Sequence, residues 1–478
     1  MTSSDLVWIV TTAGYLLTLA LIPVVLLARP KQPVSTVAWI MAIVNLPIFG
    51  ALLFVVFGIN RVGRRAARKQ QATNVILRSL PELTQYQLIP GEAEHPRHVR
   101  LMRLASRVAE TAPTHGNRVE VLDDTVRTLA LIEEAIKSAK ETLHLEYYIW
   151  QPDKTGTRVR DLLIQKAKEG VTVRFLYDGI GSLRLSRRFL QPMLDAGIKV
   201  ASFLPGATFH ERWSINLRSH RKIVIVDGLV GFTGGMNIGD EYIGKDPNLG
   251  YWRDTHLRLY GPVVLQLQQV FAEDWYYATN EELTQPDIFP PPQENGTVIA
   301  QVVAGEPAGD SHSFHAIMFA AINEAREQVL LTTSYFVPTE PLLAALEAAA
   351  LRGVRVRLML PAKSDHPSTL YAARSYYELL LRSGVEIYEY GRGLMHSKTL
   401  AIDGDWSLIG SPNFDARSLL LNFEIAVVTY DSRTALQLSE HFDKDVKFSK
   451  RVELEPWLRR NAIARLPESV CRLFAPVL

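Results

Sequence analysis

Two stretches of this chain carry the same reactive residues at the same spacing: His220, Lys222 and Asp227 in SHRKIVIVDG, and His396, Lys398 and Asp403 in MHSKTLAIDG. Both read H-x-K-x4-D. At the same offset each Asp is followed by a small-residue turn ending in Asn, Gly234-Gly235-Met236-Asn237 in the first and Gly410-Ser411-Pro412-Asn413 in the second. A lone strand histidine is usually a satisfied core residue, but a matched pair with a matched trailing turn points to chemistry. These residue types suit displacement at a phosphodiester. Such a centre repels nucleophiles, so a catalyst must neutralise its charge, supply a nucleophile and protonate the leaving alkoxide. A neutral imidazole can attack phosphorus and form a covalent intermediate. A second, protonated imidazole can hand its proton to the leaving oxygen, and histidine's ordinary pKa lets both forms exist near neutrality. Lys222 and Lys398 offer positive charge to the non-bridging oxygens, Asn237 and Asn413 offer N–H donors, and Ser411 adds a hydroxyl. No metal or other cofactor is expected, because the lysines supply the charge and no metal-ligand spacing is visible.

The residues between the motif positions say what holds them. In H-x-K, positions i and i+2 project from one face of an extended strand. The apolar runs Ile223-Val224-Ile225-Val226 and Thr399-Leu400-Ala401-Ile402 fit buried strands. Asp227-Gly228 and Asp403-Gly404 are strong turn signals, so each Asp is as suited to a structural role as to a catalytic one. Each histidine also needs a group to fix its tautomer. The candidates are Glu424, Asp254 and Glu146; the first two precede apolar strand-like stretches, and Glu146 is a carboxylate inside a strand-like run, an expensive place for an unpaired charge.

The doubled motif resembles that of the phospholipase D superfamily. Further phrases resemble bacterial cardiolipin synthases: a hydrophobic N-terminal hairpin, Asn216-Leu217-Arg218-Ser219-His220-Arg221-Lys222, Gly234-Gly235-Met236-Asn237-Ile238-Gly239-Asp240-Glu241-Tyr242, and Ser334-Tyr335-Phe336-Val337-Pro338. The likeness covers nearly the whole chain. One departure is Gly235, where many superfamily members carry Ser, as the second copy does at Ser411. The resemblance implies an α/β fold of two phospholipase D-like sandwich halves with pseudo-twofold symmetry, preceded by a two-helix transmembrane hairpin, with both histidines meeting at the shared interface.

The 478 residues suffice for two or three domains. Lys and Arg total 52 against 50 Asp and Glu, which gives no broad basic field of the kind a nucleic-acid binder needs. Cys471 is the only cysteine, so disulfides within the chain are excluded. Spans are expected at about 7–28 and 37–59, each uncharged and long enough to cross roughly 30 Å of hydrocarbon as a helix. Trp8 and Trp39 sit near ends of these runs, as interface anchors do. The joining loop holds Arg29 and Lys31, whereas Arg61, Arg64, Arg65, Arg68 and Lys69 follow the second run. That asymmetry predicts a multi-pass protein with its catalytic body in the cytoplasm, and the resemblance implies the bacterial inner membrane. A cleaved signal peptide fits poorly, since no Lys or Arg precedes the first run.

The segments then expected are the hairpin at 1–60, a basic flank and connector at 61–118, and catalytic halves at 119–285 and 296–478, joined by the Pro- and Gln-rich stretch 285–295. Helix-like and strand-like stretches alternate in each half. Lys168-Glu169-Gly170-Val171-Thr172-Val173-Arg174 and Leu351-Arg352-Gly353-Val354-Arg355-Val356-Arg357 repeat outside the motifs. Such alternation argues for α/β architecture. The C-terminal stretch 456–478 mixes apolar residues with Arg459, Arg460, Arg465 and Arg472, which suits an interfacial or a packed helix interrupted at Pro467.

The resemblance implies a phosphatidyltransferase joining two phosphatidylglycerol molecules into cardiolipin and glycerol, with His220 as nucleophile and His396 as acid and then base. Phospholipid and membrane are the expected partners, and nucleic acid is not. Hydrolytic phospholipase D activity, and phosphatidylethanolamine or another alcohol as second substrate, remain open in the sequence. A nuclease or a non-catalytic membrane scaffold fits it less well.

Overall fold

The computed structural model describes residues 3–27, 33–55, 71–76, 85–88, 95–109, 111–203, 218–247, 249–307 and 312–474. The chain divides into two compact units, Met1–Arg68 with Ala207–Ser214, and Lys69–Gly206 with Ile215–Leu478.

In the first unit, α1 (Ser3–Leu27), α2 (Pro33–Asn45) and α3 (Pro47–Leu53) pack together. Pro23 is carried inside α1. The Thr18 hydroxyl bonds the carbonyls of Gly14 in α1 and Ile43 in α2, at 3.0 and 3.2 Å. The expected second span is not one helix. It breaks at Leu46, because Pro47 has no N–H to donate to the preceding turn. Among the described residues, no helix is long and apolar enough to cross a membrane. The basic positions expected to orient the hairpin, Arg29, Lys31, Arg61, Arg64, Arg65, Arg68 and Lys69, lie outside the described residues.

The second unit is an α/β fold built on one large mixed sheet. Its first half supplies β1 (Thr114–Leu122), β2 (Thr142–Tyr147), β3 (Thr172–Asp178), β4 (Lys199–Phe203), β5 (Lys222–Val226), β6 (Val230–Gly234), β7 (Tyr251–Arg253) and β8 (His256–Tyr260). Its second half supplies β9 (Val298–Gly305), β10 (Gln328–Thr332), β11 (Phe336–Val337), β12 (Arg355–Pro361), β13 (Glu386–Tyr390), β14 (Gly393–Met395), β15 (Thr399–Ile402), β16 (Trp406–Gly410), β17 (Phe414–Asp415), β18 (Glu424–Thr429) and β19 (Ser449–Val452). The halves do not keep separate sheets. β1 and β9 pair antiparallel at the centre of a single 15-stranded sheet. Outward from β1 run β8, β6, β5, β2, β3 and β4; outward from β9 run the matching β18, β16, β15, β10, β12 and β13, then β19. β1 begins at Thr114, inside the segment assigned to the 61–118 connector.

Amphipathic helices cover the sheet. The helices at Thr125–Ser138 and Lys154–Lys168 are capped by Asp124 and Asp153, whose carboxylates accept N–H bonds in the first turn. Gly170 and Gly353, at φ 99° and 91°, follow the helices that lead into β3 and β12, as the repeated Gly-Val phrase implies. The helices Val263–Thr279 and Ser432–Val446 pack across the seam, the first against β9 and the second against β1, so one hydrophobic cluster draws on both halves. At the C-terminus Pro467 does not interrupt the chain. It sits inside a helix, Ala462–Leu473, that Asn461 caps.

The Asp-Gly pairs form the tight turns of the β5–β6 and β15–β16 hairpins. Asp227 and Gly228 have φ 52° and 64°, and Asp403 and Gly404 have φ 49° and 71°, the paired left-handed geometry that such hairpins require. Each Asp carboxylate then accepts three successive backbone N–H groups at the start of a neighbouring strand. For Asp227 these are residues 140, 141 and 142, and for Asp403 residues 326, 327 and 328. Bonds of this kind to a charged acceptor are worth about 1.5–3 kcal/mol each. Asp227→Ala and Asp403→Ala are therefore expected to lose about 2 kcal/mol or more of stability. A drop in the thermal unfolding midpoint of each variant checks this; unchanged midpoints would contradict it.

Candidate active site

Each motif histidine stands at the mouth of a buried strand. His220 and Lys222 lie at the start of β5, and His396 and Lys398 just ahead of β15. The chain on either side is stapled to the opposite half by backbone bonds. His220 N–H donates to the Phe423 carbonyl at 2.8 Å, and His396 N–H to the Arg253 carbonyl at 2.7 Å. β7 and β14 add a short parallel pairing across the same boundary.

These staples bring His220 and His396 to one cavity of about 290 Å³. Asn237, Asn413, Tyr148, Tyr242, Trp252, Tyr335, Asp365, Arg417 and Asn422 also line it. The orienting carboxylates cross between halves. His220 Nδ1 lies 2.9 Å from Glu424 Oε2, and His396 Nδ1 lies 2.7 Å from Asp254 Oδ2. Glu424 and Asp254 are both buried. With each Nδ1 engaged, each Nε2 is left to the chemistry. An aromatic ring packs beside each imidazole, Tyr148 at 4.9 Å from His220 and Trp252 at 5.0 Å from His396.

Burial sets the charges. It pulls His220 down to about 4 against the opposing pull of Glu424, so this imidazole is neutral at pH 7. Burial lowers His396 too, with Lys398 adding to the effect and Asp254 opposing it. Desolvation likewise lowers Lys222 to about 7 and Lys398 to about 8. The histidines hold the two carboxylates below their ordinary range despite their burial.

Several expected residues are placed elsewhere. The lysine ammonium groups do not line the cavity. Lys222 Nζ bonds the His220 carbonyl at 2.6 Å, and Lys398 Nζ bonds the His396 carbonyl and, at 2.9 Å, the Ser334 hydroxyl. Asn237 faces the cavity while its Oδ1 accepts from Ile149 N–H at 3.1 Å. Ser411 does not reach the cavity: its hydroxyl donates to Glu424 and accepts from Ile425 N–H. Glu146 is not the carboxylate at either Nδ1; it accepts from the Ser219 hydroxyl at 2.6 Å. Asp227 and Asp403 stay in their turns.

Sequence reasoning missed Arg221. Its buried guanidinium pairs with Asp274 and reaches the carbonyls of Glu424 and Gly305, each at 3.2 Å, so it ties the first motif to the second half. A charged residue between the His and Lys of a buried strand was the available signal. The matching position in the second motif is Ser397, which donates to the Thr255 hydroxyl at 2.6 Å. Among the described residues, His95, His98 and Asp405 gather ligand atoms within 4.8 Å of one another, none of them in the cavity. Burial and the neighbouring Arg97 hold His98 neutral, at about 4.

Gly235 also finds its reason here. A Cβ on it would meet Asp254 Oδ1 at 2.1 Å. The first half therefore cannot place a serine where the second half has Ser411 without moving the carboxylate that holds His396.

Two H-x-K motifs converging on one cavity, each histidine backed by a carboxylate, define a phospholipase D-like site. Residues 132–275 and 318–446 match the family model described as cardiolipin synthase, PLD-like domain. A cardiolipin synthase of Halalkalibacterium halodurans is 37% identical over 98% of this chain and 95% of its own. Cardiolipin synthase 2 of Bacillus anthracis is 38% identical over 96% of this chain and 90% of its own. The solved phosphatidylserine synthase of Haemophilus influenzae Rd KW20 shares the fold, with a TM-score of 0.60 at 15% identity over 79% of this chain and 98% of that one. The chain belongs to the cardiolipin synthase family.

The Gly235 contact generates a test. Gly235→Ala is expected to displace Asp254 and cut turnover by about tenfold or more while the protein stays folded, since small misplacements of catalytic groups cost that much. Turnover and circular dichroism of the purified variant measure the two parts; full activity would contradict the packing argument.

Proposed function

We propose that the protein converts two phosphatidylglycerol molecules into cardiolipin and glycerol through a phosphohistidine. The observation that carries this reading is the pair of histidines at one cavity, each with Nδ1 held by a carboxylate from the opposite half. Its support in the comparisons is the family and the names of the relatives.

The steps balance as follows. His220 Nε2 attacks the phosphorus of the first lipid, a P–N bond forms, and the P–O bond to the glycerol headgroup breaks. His396, protonated in the bound complex, gives its Nε2 proton to the departing oxygen. His396 then takes the proton of the second lipid's headgroup hydroxyl. That oxygen attacks phosphorus, the P–N bond breaks and His220 returns to its neutral form. Glu424 and Asp254 keep the tautomers and stabilise the charged imidazoles. Asn237 and Asn413 face the phosphoryl oxygens, and Lys222 and Lys398 hold positive charge beneath them. Because each histidine has its Nδ1 held by a carboxylate, the order of the histidines is a direct object of test. Brief reaction with lipid labelled at phosphorus, then peptide mapping, is expected to find the label on His220. His220→Ala is expected to lose about 10³-fold or more of turnover. Label on His396 would reverse the assignment.

The reading includes a membrane setting, with α1 to α3 in the bilayer and the catalytic unit in the cytoplasm of a bacterial cell. Its support is the two uncharged runs of the sequence and the outward apolar side chains of the first unit. Trp8, Leu16, Leu19, Leu27, Met41, Ile48 and Phe49 are all more than half exposed. The C-terminal helix turns Ile463, Leu466, Leu473 and Phe474 outward in the same way, which suits contact with a lipid surface.

Purified protein given phosphatidylglycerol alone is expected to yield cardiolipin and glycerol by mass spectrometry. Phosphatidic acid in their place would make it a hydrolase, and a requirement for phosphatidylethanolamine would change the second substrate. The pH dependence follows from the buried cations. In the free enzyme Lys222 and Lys398 are charged at low pH and neutral above about 7 and 8. Protonation of His396 also favours low pH, while His220 stays a competent nucleophile down to about 4. Thus kcat/KM is expected to fall as pH rises through 7 to 8. A kcat/KM that climbs steadily to pH 9 would contradict this.

A further inference from the structure

The cavity carries charge of both signs, with Arg417, Asp365 and Asp415 all in its lining. On the side of His220 it carries Arg417, with the buried Arg218 nearby; Tyr148, which packs against His220, lies in the field of both guanidinium groups and of the opposing carboxylates Asp178 and Glu424. The wall that carries Tyr335 is made by the segment after β12. Asp365, His366, Ser368 and Thr369 all line it. The Tyr335 hydroxyl bonds Asp365 through both carboxylate oxygens, at 2.8 and 2.9 Å, and the Tyr335 ring packs 5.8 Å from that of His366. Asp365 belongs to the field felt by His396 and Lys398, which places its charge on the His396 side.

The Asp365 carboxylate is partly exposed, so solvent screens but does not abolish its effect on a phosphodiester beside it. It repels the anion, and a hydroxylated headgroup is the part of the substrate that it suits. The Ser364 hydroxyl also donates to Asp365 Oδ1, at 3.3 Å, and a carboxylate's roughly four lone-pair sites leave acceptor capacity beyond these bonds. We propose that Asp365, positioned by Tyr335, forms a headgroup subsite for the free hydroxyls of glycerol beside His396, and thereby selects polyol-bearing leaving groups and acceptors over simple alcohols. This rests on the phosphatidyltransferase reading and names the chemistry that the same site recognises. It also gives the cavity a direction. The phosphate is drawn toward the arginine side, and the glycerol portion lies where His396 can exchange its proton.

The test is the partition of the covalent intermediate between two small acceptors, which does not depend on how fast the donor reacts. Wild-type protein and D365N are given phosphatidylglycerol with labelled glycerol and ethanol together, and labelled phosphatidylglycerol and phosphatidylethanol are measured. D365N is expected to lower the glycerol-to-ethanol product ratio by about tenfold or more, the scale of a lost hydrogen bond to a charged group. Y335F, which leaves the carboxylate but removes its tether, should lower the ratio by less. Thermal midpoints of both variants are recorded so that a folding defect is seen as such, and the ratio is read from whatever folded fraction remains. An unchanged ratio, or an equal fall in both products, would overturn the subsite. So would a wild-type preference for ethanolamine over glycerol that disappears in D365N, because the carboxylate would then serve an ammonium group. Absence of cardiolipin from wild-type protein with phosphatidylglycerol alone would count against the functional reading instead, and the acceptor ratio would still report on Asp365.

Discussion

Everything at this site depends on two buried carboxylates finding their histidines across the middle of the molecule. Glu424 and Asp254 are almost wholly removed from water, and an ionised carboxylate in that position costs several kcal/mol unless it is paired. Each is paired with the imidazole of the other half. The backbone staples from His220 to Phe423 and from His396 to Arg253, the β7–β14 pairing and the Arg221 clamp all act to keep that exchange in register. The central β1–β9 pairing does the same at larger scale. Neither half has a complete site without the other.

Much of this was legible in the sequence, and the rest was not for identifiable reasons. The H-x-K spacing announced the two strand mouths, because a period of two residues is a local property. Asp-Gly announced the hairpins, and Gly170 and Gly353 marked two helix ends, for the same reason. Glu424 and Asp254 could be picked out as carboxylates ahead of apolar strands. Which histidine each serves is decided by a chain crossing that no local pattern encodes. Glu146 looked equally suitable, and its partner proved to be Ser219. The lysines were read as pointing where their charge is wanted, yet their ammonium groups are held by the carbonyls of their own motifs. Pro47 was legible as a proline, but whether a proline ends a helix or is carried within it depends on packing around it, as Pro23 and Pro467 show.

The repeat is also less symmetrical than its motifs. Arg221 in one copy answers to Ser397 in the other, and Gly235 to Ser411. The differences are coupled to what lies opposite. Where Glu424 receives a hydroxyl from Ser411, Asp254 fills that space with its own carboxylate, and glycine is what remains possible. Two copies of one motif have become two different chemical settings.

The crossed pairing also bears on how such a chain is held together in dilute conditions. A polypeptide with one motif could reach the same geometry only by meeting a second copy of itself, each lending its carboxylate to the other's histidine. Site formation would then rise and fall with protein concentration. Joining both copies through residues 285–295 replaces that encounter with an intramolecular one at a fixed effective concentration. A single molecule thus keeps its reactive centre assembled whatever its concentration.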